Sequence, residues 1–284
     1  MTDKKKITAE NRRDVDGSRL GEDIGIDRDE IEWRKDFTGF SAADEQRLAA
    51  MNETFERIAP EVVEDFYEHL QEFDETMEIF GYSTKGVDQL KETQRQYLTD
   101  LGSGQYDRQY FQQRARIGKI HDMLDLGPKV YLGAYSIYYE GIIEAIADDV
   151  KDRLVAADGG ASAQSEAGSS SESEPATLDA EAAIDEVVER SVSALKLLNI
   201  DQQVAMDTYI HSYSEDLEAE LDRQDEVADE VQQRVDECQR TADDIAASAT
   251  EASDLASDQV DAMTDVAGEV SNMSATVEEI ASTA

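Results

Sequence analysis

Three histidines supply every imidazole in this chain of 284 residues, and they are His69, His121 and His211. Imidazole is the commonest metal ligand among protein side chains because its neutral form offers a nitrogen lone pair near neutral pH. His121 has the most informative surroundings: an apolar helical turn precedes it, a Gly127-Pro128 break follows it, and Tyr131 opens an aromatic-rich helix. A function that needs an imidazole ligand is therefore expected to use His121.

A single neutral imidazole on a helix, beside an apolar slot, is sufficient to ligate a heme iron. His121 shares a helical face with three apolar residues, Ile117, Ile120 and Leu124. An ordinary core histidine bonded to a carbonyl has the same spacing, so the pattern alone leaves both interpretations open. His69 also lies near an apolar face, whereas His211 lies in a C-terminal helical rod and is expected to be a surface or seam residue.

The sequence lacks the spacings that common catalytic and metal sites require. It has no G-x-S-x-G, no P-loop, no H-E-x-x-H and no glycine pattern for binding a dinucleotide. No Glu-x-x-His pair suits a di-iron bundle, and Cys238, the one cysteine, is far from the histidines that a zinc site would need. Carboxylates are so common here that their pairing carries no information. We therefore predict that the protein is not an enzyme.

The chain carries 66 acidic and 26 basic residues, which gives a formal net charge of −40. Such a charge repels nucleic acid and anionic membrane surfaces, so we expect neither as a partner. Acidic residues are spread from Glu22 to Glu279 and are not gathered in one tail, which indicates a surface adapted to concentrated salt, where repulsion is screened within about 3 Å. A salt-loving host is therefore expected.

The sequence also predicts where the protein resides. No run approaches the roughly 20 apolar residues that a membrane helix needs, and the basic start lacks the apolar core of a secretory signal. One cysteine cannot build a disulfide framework. We predict a cytoplasmic protein without membrane insertion.

Helical periodicity dominates the chain from Ile26 to about Val155, which predicts an all-α fold. Residues 1–25 are polar and broken by glycines, and they are predicted to be disordered. Ser41 is the predicted N-cap of a helix whose first turn is acidic. The predicted helix over 129–155 is apolar on nearly all sides, so it is expected to face its own core on one side and a partner subunit on the other.

The C-terminal part combines a low-complexity segment with a long rod. Residues 156–177 are small, polar and acidic, and they are predicted to be a flexible loop between two long helices. A helix is predicted from about Asp179 to the end, and from Val231 to Ile280 its seam residues alternate at four and three, with Gln259 as the one clearly polar member. This repeat predicts a left-handed coiled coil, although any structural coiled coil shows it. The repeat still runs at the last residue, so we expect part of a longer rod.

Residues 31–155 resemble the sensor domain of the globin-coupled sensors. The matching segments agree in order and spacing, and they read IEWRKDFTGFSAADEQRL, PEVVEDFYEHL, VDQLKETQRQYL and RIGKIHDMLDLGPKVYLGAY. The resemblance implies a globin-like sensor domain over residues 26–222, a bound heme b (iron protoporphyrin IX) and His121 as the proximal ligand of its iron. The sequence departs from the family at Val130, where a tryptophan is common, and in the unusual length of the 156–177 insertion.

The same resemblance implies roles for five further residues. Tyr67 and Thr93 would donate hydrogen bonds to bound oxygen, and Leu90 would line that side of the pocket. Tyr131 would pack on the proximal side near the histidine, and Phe66 would pack against the porphyrin. Without the resemblance, helical periodicity favours stripe-edge positions of the surface kind for Tyr67 and Thr93 and a core position for Tyr131.

Residues 270–284, VSNMSATVEEIASTA, resemble the entry to a methyl-accepting chemoreceptor signalling rod. Residues 223–284 are accordingly expected to form a coiled-coil linker and the beginning of that domain. Both resemblances together imply a homodimeric heme-based oxygen sensor for aerotaxis. It would signal through a distal rod, absent from this sequence, to the chemotaxis histidine kinase CheA and the coupling protein CheW. Two alternatives stay open: a cofactor-free structural or adaptor coiled coil, and a heme globin that senses or scavenges another diatomic gas.

Overall fold

The structure, a computed structural model, describes residues 6–163 and 179–283, and it confirms the predicted all-α class. Within these ranges ten helices follow one another: α1 (Ala9–Asp14), α2 (Gly17–Asp23), α3 (Arg28–Thr38), α4 (Ala42–Ala50), α5 (Asn52–Gln71), α6 (Asp74–Gly81), α7 (Val87–Asp100), α8 (Arg108–Met123), α9 (Pro128–Ala163) and α10 (Ala180–Thr283). No helix among the described residues is long and apolar enough to cross a membrane.

Side-chain caps and special backbone conformations set several of these helix ends. Ser41 is the N-cap of α4 as predicted, and the Asp44 carboxylate accepts hydrogen bonds from the Ser41 backbone N–H at 2.8 Å and its hydroxyl at 2.7 Å. The Asp107 carboxylate caps α8 by accepting from the next N–H groups of that helix. Asp125 adopts a left-handed conformation with φ 61°, and Pro128 then begins α9, so the predicted break at this point is confirmed.

The contacts within the chain divide it into Met1–Glu215 and Asp216–Ala284, so the division falls on α10, as does the predicted boundary between residues 222 and 223. The core of the first unit lies between α5, α7, α8, α9 and the first part of α10. Its largest fully buried side chains include Phe55, Leu98, Phe111, Ile146, Leu197 and Tyr209. Each of these stabilises the fold by about 1.5–3 kcal/mol relative to an exposed position.

Helix α9 buries one face in the single chain. Its buried residues recur at helical spacing and are Tyr131, Tyr135, Tyr138, Ile142, Ala145, Ile146 and Val150. On the other side Leu132 is 42% exposed. The expected contact of α9 with a partner subunit therefore stays a prediction.

Two glycines bring helices of the first unit close together. A Cβ atom at Gly118 of α8 would lie 3.1 Å from the Cα of Ala205 and 3.1 Å from the Cβ of Thr208, both on α10. A Cβ atom at Gly141 of α9 would lie 2.6 Å from a methyl carbon of Val62 on α5. Helix α8, which carries His121, is therefore in direct contact with α10.

Gly118→Val is expected to destabilise the protein by about 1–3 kcal/mol, because the added methyl groups overpack the contact with the α10 backbone. The matched control is Gly133→Val in α9, where a Cβ atom would meet nothing within 4 Å. Urea unfolding followed by circular dichroism measures both changes. Equal stabilities for the two variants would show that the close approach of α8 and α10 does not form.

The expectation that residues 1–25 are disordered is wrong for their described part, 6–25, which contains α1 and α2. The Thr8 hydroxyl caps α1 by accepting from the Asn11 N–H at 3.2 Å. The guanidinium of Arg116 on α8 donates to the Val15 carbonyl at 3.1 Å, and Gly17 packs against the Gln112 carbonyl. Contacts with α8 order this polar segment, and the sequence pattern of the segment itself does not reveal them.

The predicted flexible loop over 156–177 is also shorter than expected, because α9 continues to Ala163. The rest of that predicted loop lies outside the described residues. In the second unit, apolar seam residues such as Val231, Ile245 and Met263 are more than half exposed in the single chain. Such exposure suits pairing with another helix, and the coiled coil itself stays a prediction.

Candidate functional site

His121 lies in the last turn of α8, where the end of that helix fixes its backbone. Its carbonyl accepts hydrogen bonds from the N–H groups of Leu124 at 3.1 Å and Leu126 at 3.0 Å. The chain then reverses and begins α9, whose first turn places the ring of Tyr131 with its centroid 5.4 Å from that of His121. The two residues are therefore in contact, as the family resemblance implies.

The imidazole of His121 has the properties of an unprotonated ligand. Burial lowers its pKa to about 4, so the ring is neutral at pH 7. Its Nδ1 atom is shielded from solvent and has no hydrogen-bond partner among the described residues. Buried polar atoms normally find a partner, and an orphaned imidazole nitrogen is one that a metal can use. This side chain would therefore be able to hold a heme iron through a ring nitrogen.

The other two histidines have different environments. The side chain of His69 is 49% exposed, and its Nδ1 lies 3.7 Å from a Glu72 carboxylate oxygen. The Nε2 of His211 lies 3.6 Å from a Glu215 carboxylate oxygen. Both side chains thus lie beside a carboxylate of their own helix and do not share the environment of His121.

A row of aromatic rings connects α5 to His121. Phe66 stacks on Tyr138 with centroids 4.9 Å apart and 4° between the ring planes. Tyr138 contacts Tyr135 at 5.7 Å, Tyr135 contacts Tyr131 at 5.3 Å, and Tyr131 contacts His121. The spacing of these tyrosines along α9 directs their rings to one side of that helix. These rings therefore form a continuous series of aromatic contacts from Phe66 on α5 to the imidazole of His121.

Tyr67 lies next to Phe66 on α5, and their ring centroids are 5.4 Å apart. Its side chain is buried, and this burial raises the pKa of the Tyr67 hydroxyl above its usual range. Tyr67 is therefore a neutral O–H donor at any physiological pH. The structure thus brings Tyr67 and Phe66 to one end of the aromatic row, and Tyr131 and His121 to its other end.

The environments of the α7 residues differ from those that the family resemblance implies. Leu90 is half-buried and packs against the core, whereas Thr93 is exposed. The Thr93 hydroxyl donates to the Gln89 carbonyl at 3.0 Å and accepts from the Lys85 ammonium at 2.9 Å. Two α7 side chains reach the aromatic row: Gln94 donates to the Tyr138 hydroxyl, and the ring centroid of Tyr97 lies 5.9 Å from that of Tyr138. The structure does not bring Thr93 to Tyr67 or His121.

Sequence analysis missed a buried polar cluster next to the aromatic row. The Tyr131 and Tyr135 hydroxyls are 2.8 Å apart, and those of Tyr135 and Tyr97 are 3.1 Å apart. Tyr97 donates to a carboxylate oxygen of Asp201 at 2.9 Å, and Tyr110 donates to the same oxygen at 3.0 Å. Side chains of α7 and α8 therefore meet one carboxylate of α10, and the α9 tyrosines are connected to it through Tyr97.

Arg114 completes this cluster with a buried ion pair. Its Nε lies 3.0 Å from the same oxygen of Asp201, and its guanidinium lies over the rings of Tyr97 at 4.4 Å and Tyr110 at 4.2 Å. Burial opposes the charge of Arg114, but Asp201 and the tyrosines outweigh it and raise the pKa of the guanidinium. Burial also raises the pKa of Asp201, against the opposing effect of Arg114. The sequence did contain a signal for this cluster. Leu197, Asp201 and Val204 follow one another at helical spacing and are all buried, so an acidic residue occupies a position where the pattern calls for an apolar one.

Comparison with known proteins shows which proteins this chain resembles. The heme-based aerotactic transducer HemAT of Halobacterium salinarum is 48% identical over 225 residues, which are 79% of this chain and 42% of that protein. The chain thus spans about two fifths of the length of this relative. The globin domain of the Geobacter sulfurreducens globin-coupled sensor aligns with a TM-score of 0.48 and 18% identity. The alignment covers 63% of this chain and 96% of that domain, and the likeness is distant.

The family described as Protoglobin matches residues 27–215, which include every predicted site residue and the buried polar cluster. The match begins just before α3 and ends where the first unit ends. It covers more than half of the chain. The chain belongs to the protoglobin family.

Proposed function

We propose that this protein is a heme-based oxygen sensor that signals through its C-terminal helix in aerotaxis. The observation that carries the proposal is the neutral imidazole of the half-buried His121, whose solvent-shielded Nδ1 has no partner among the described residues. The name of the relative from Halobacterium salinarum, a heme-based aerotactic transducer, supports the same function. That relative is named as a transducer, so we assign this chain a sensing role and no catalytic one.

His121 would hold heme b, iron protoporphyrin IX, as its proximal ligand, and Phe66 and Tyr131 would pack against the porphyrin. When bound, this group supplies an iron atom that takes up a diatomic gas reversibly. Tyr67 is the favoured hydrogen-bond donor to that gas because its hydroxyl is neutral and its side chain is buried beside Phe66. Leu90 would line the same side. Thr93 could serve as a second donor only after its hydroxyl leaves the Gln89 carbonyl.

The outer face of α10 supports the proposal of a homodimer. Within the first unit it exposes a stripe of large apolar side chains at helical spacing: Ile184, Val188, Val192, Leu195, Ile210 and Tyr213. Contiguous apolar surface of this kind marks an interaction site in a soluble protein. A second copy of the chain, paired along α10, would cover the stripe in both subunits. The seam residues farther along α10 would continue that pairing as a coiled coil.

The proposed signalling partners follow from the pairing of the two α10 helices. Occupancy of the site would shift the paired α10 helices, and a signalling rod of the chemoreceptor type would pass the shift to the histidine kinase CheA and the coupling protein CheW. The net charge of −40 disfavours contact with nucleic acid and with anionic membranes, so neither is a proposed partner. A cytoplasmic location is part of the same proposal.

Absorption spectra of the purified protein under nitrogen, air and carbon monoxide test this function. The protein, supplied with hemin and reduced, is expected to show a Soret band that moves between the three gases. A preparation that stays colourless after hemin is added would support the alternative of a cofactor-free adaptor. A Soret band that moves with carbon monoxide but not with air would instead support a globin for another gas.

Tyr67→Phe is expected to speed oxygen dissociation by about 10-fold, which corresponds to the loss of one hydrogen bond of roughly 1.4 kcal/mol. Carbon monoxide, a weaker hydrogen-bond acceptor, should dissociate at a nearly unchanged rate. Stopped-flow displacement measures both rates. The comparison variant is Thr93→Ala, for which we expect a small change because Thr93 is exposed. The reverse order of effects would assign the donor role to Thr93.

A further inference from the structure

The buried polar cluster forms a hydrogen-bonded path from the surroundings of His121 to α10. We call Tyr131, Tyr135, Tyr97 and Asp201 the tyrosine relay. Its three successive contacts join oxygen atoms at 2.8, 3.1 and 2.9 Å. All four side chains are buried, so water does not compete for these bonds. The relay begins at the ring that contacts His121 and ends on the helix that leaves the sensor unit.

The chemistry of the groups gives this path one direction. The Asp201 carboxylate, paired with Arg114, can only accept hydrogen bonds, so the single hydroxyl proton of Tyr97 is donated to it. Tyr97 must then accept from Tyr135, whose own proton is directed to Tyr97. Tyr135 in turn must accept from Tyr131. Every hydroxyl of the relay therefore points toward Asp201.

The bonding of such a directional chain depends on whether the Tyr131 hydroxyl donates to Tyr135. When Tyr131 donates to Tyr135, the buried hydroxyls along the chain are satisfied and polarise one another toward the carboxylate. When the Tyr131 hydroxyl moves away, Tyr135 loses its incoming bond, and the remaining bonds to Asp201 weaken. Arg114 holds the far end fixed because its guanidinium is stacked between two tyrosine rings. A small movement beside His121 is thus converted into a change of the bonding on α10.

We propose that the tyrosine relay, anchored by Asp201 and Arg114, is the element that passes the ligand state of the His121 site to α10. This inference depends on the proposed function, since it requires a gas-binding heme at His121. Its residues act as positioning residues, and Asp201 would touch neither heme nor gas. Packing of α8 on α10, through Gly118 and through the Lys119 ammonium that donates to the Ser212 hydroxyl at 2.6 Å, is the competing route.

Tyr135→Phe tests the proposal because it removes the central hydroxyl and keeps the ring that packs in the aromatic row. The readout is amide hydrogen exchange along α10 in the full chain, with hemin bound and reduced, under nitrogen and under carbon monoxide. In the unaltered protein, carbon monoxide is expected to change the exchange of α10 around Asp201. Tyr135→Phe should still bind hemin and carbon monoxide, and it should lose this difference. Tyr97→Phe removes the hydroxyl that bonds to Asp201 and should abolish the same carbon monoxide-dependent change in exchange. It replaces Tyr135→Phe as the test variant if Tyr135→Phe does not fold.

The matched control is Tyr106→Phe. Tyr106 is equally buried and lies next to Tyr110, with ring centroids 5.2 Å apart, but its hydroxyl donates to the Leu101 carbonyl at 2.6 Å, outside the relay. This variant should keep the carbon monoxide response of α10. The proposal is overturned if the relay variants keep that response, if Tyr106→Phe loses it as they do, or if the unaltered protein shows none. Failure of the unaltered protein to bind hemin would instead refute the proposed function itself.

Discussion

His121→Ala is expected to abolish the binding of hemin and with it the Soret band of the protein. His121 is the histidine that combines a neutral ring, a solvent-shielded nitrogen without a partner among the described residues, and contact with Tyr131. An alanine methyl group offers the iron no lone pair. Titration with hemin, followed by absorption spectroscopy, measures the loss.

His69→Ala is the matched control for this prediction. His69 is half exposed beside Glu72, so the variant should bind hemin like the unaltered protein. Circular dichroism of both variants should show unchanged helix content, which separates loss of a ligand from loss of the fold. Hemin uptake that falls in His69→Ala and persists in His121→Ala would move the ligand role to His69.

Asp201→Leu is expected to lower the free energy of unfolding by about 3–5 kcal/mol, because removing one partner of a buried ion pair leaves the other charge uncompensated. Arg114 would keep its charge in a site where its side chain is 3% exposed. The Tyr97 and Tyr110 hydroxyls would also lose the acceptor that they share. Urea unfolding at constant salt concentration measures this change without altering the screening of the acidic surface.

Glu75→Ala is the control for the ion-pair prediction. Glu75 pairs with Lys129 on the surface, where the two side chains are 65% and 75% exposed. The loss of such a pair is expected to cost less than about 1 kcal/mol. If Asp201→Leu costs no more than Glu75→Ala, the buried cluster does not hold α10 against the rest of the sensor unit.

Local sequence patterns predicted the helices and the chain break that position the site. The helical class, the N-cap at Ser41 and the break before Pro128 depend on neighbouring residues, and the structure confirms all three. The contact of His121 with Tyr131, which the family resemblance implied, agrees with that break, because the break turns the chain back within a few residues. Features decided over a few residues could therefore be predicted from the sequence.

Features decided by distant contacts could not be predicted in this way. Asp201 lies far from Arg114 and Tyr97 in the sequence, and helical spacing alone does not show which charges a buried carboxylate meets. The order of the N-terminal segment depends on Arg116 of α8, which lies about a hundred residues away. The role of Thr93 came from the resemblance, which does not show that its hydroxyl bonds to Gln89 and Lys85 at an exposed position. The roles of Tyr67 and Thr93 therefore stay predictions that the two dissociation rates decide.

The ligand role of His121 is tested most directly by imidazole rescue of His121→Gly, since glycine removes the side chain and leaves space where it was. Without imidazole, this variant should fail to take up hemin at the concentration that saturates the unaltered protein. Added imidazole should restore a Soret band and a spectral response to carbon monoxide. Full hemin binding by His121→Gly without imidazole, with the spectrum of the unaltered protein, would contradict the assignment of His121 and the sensing scheme built on it.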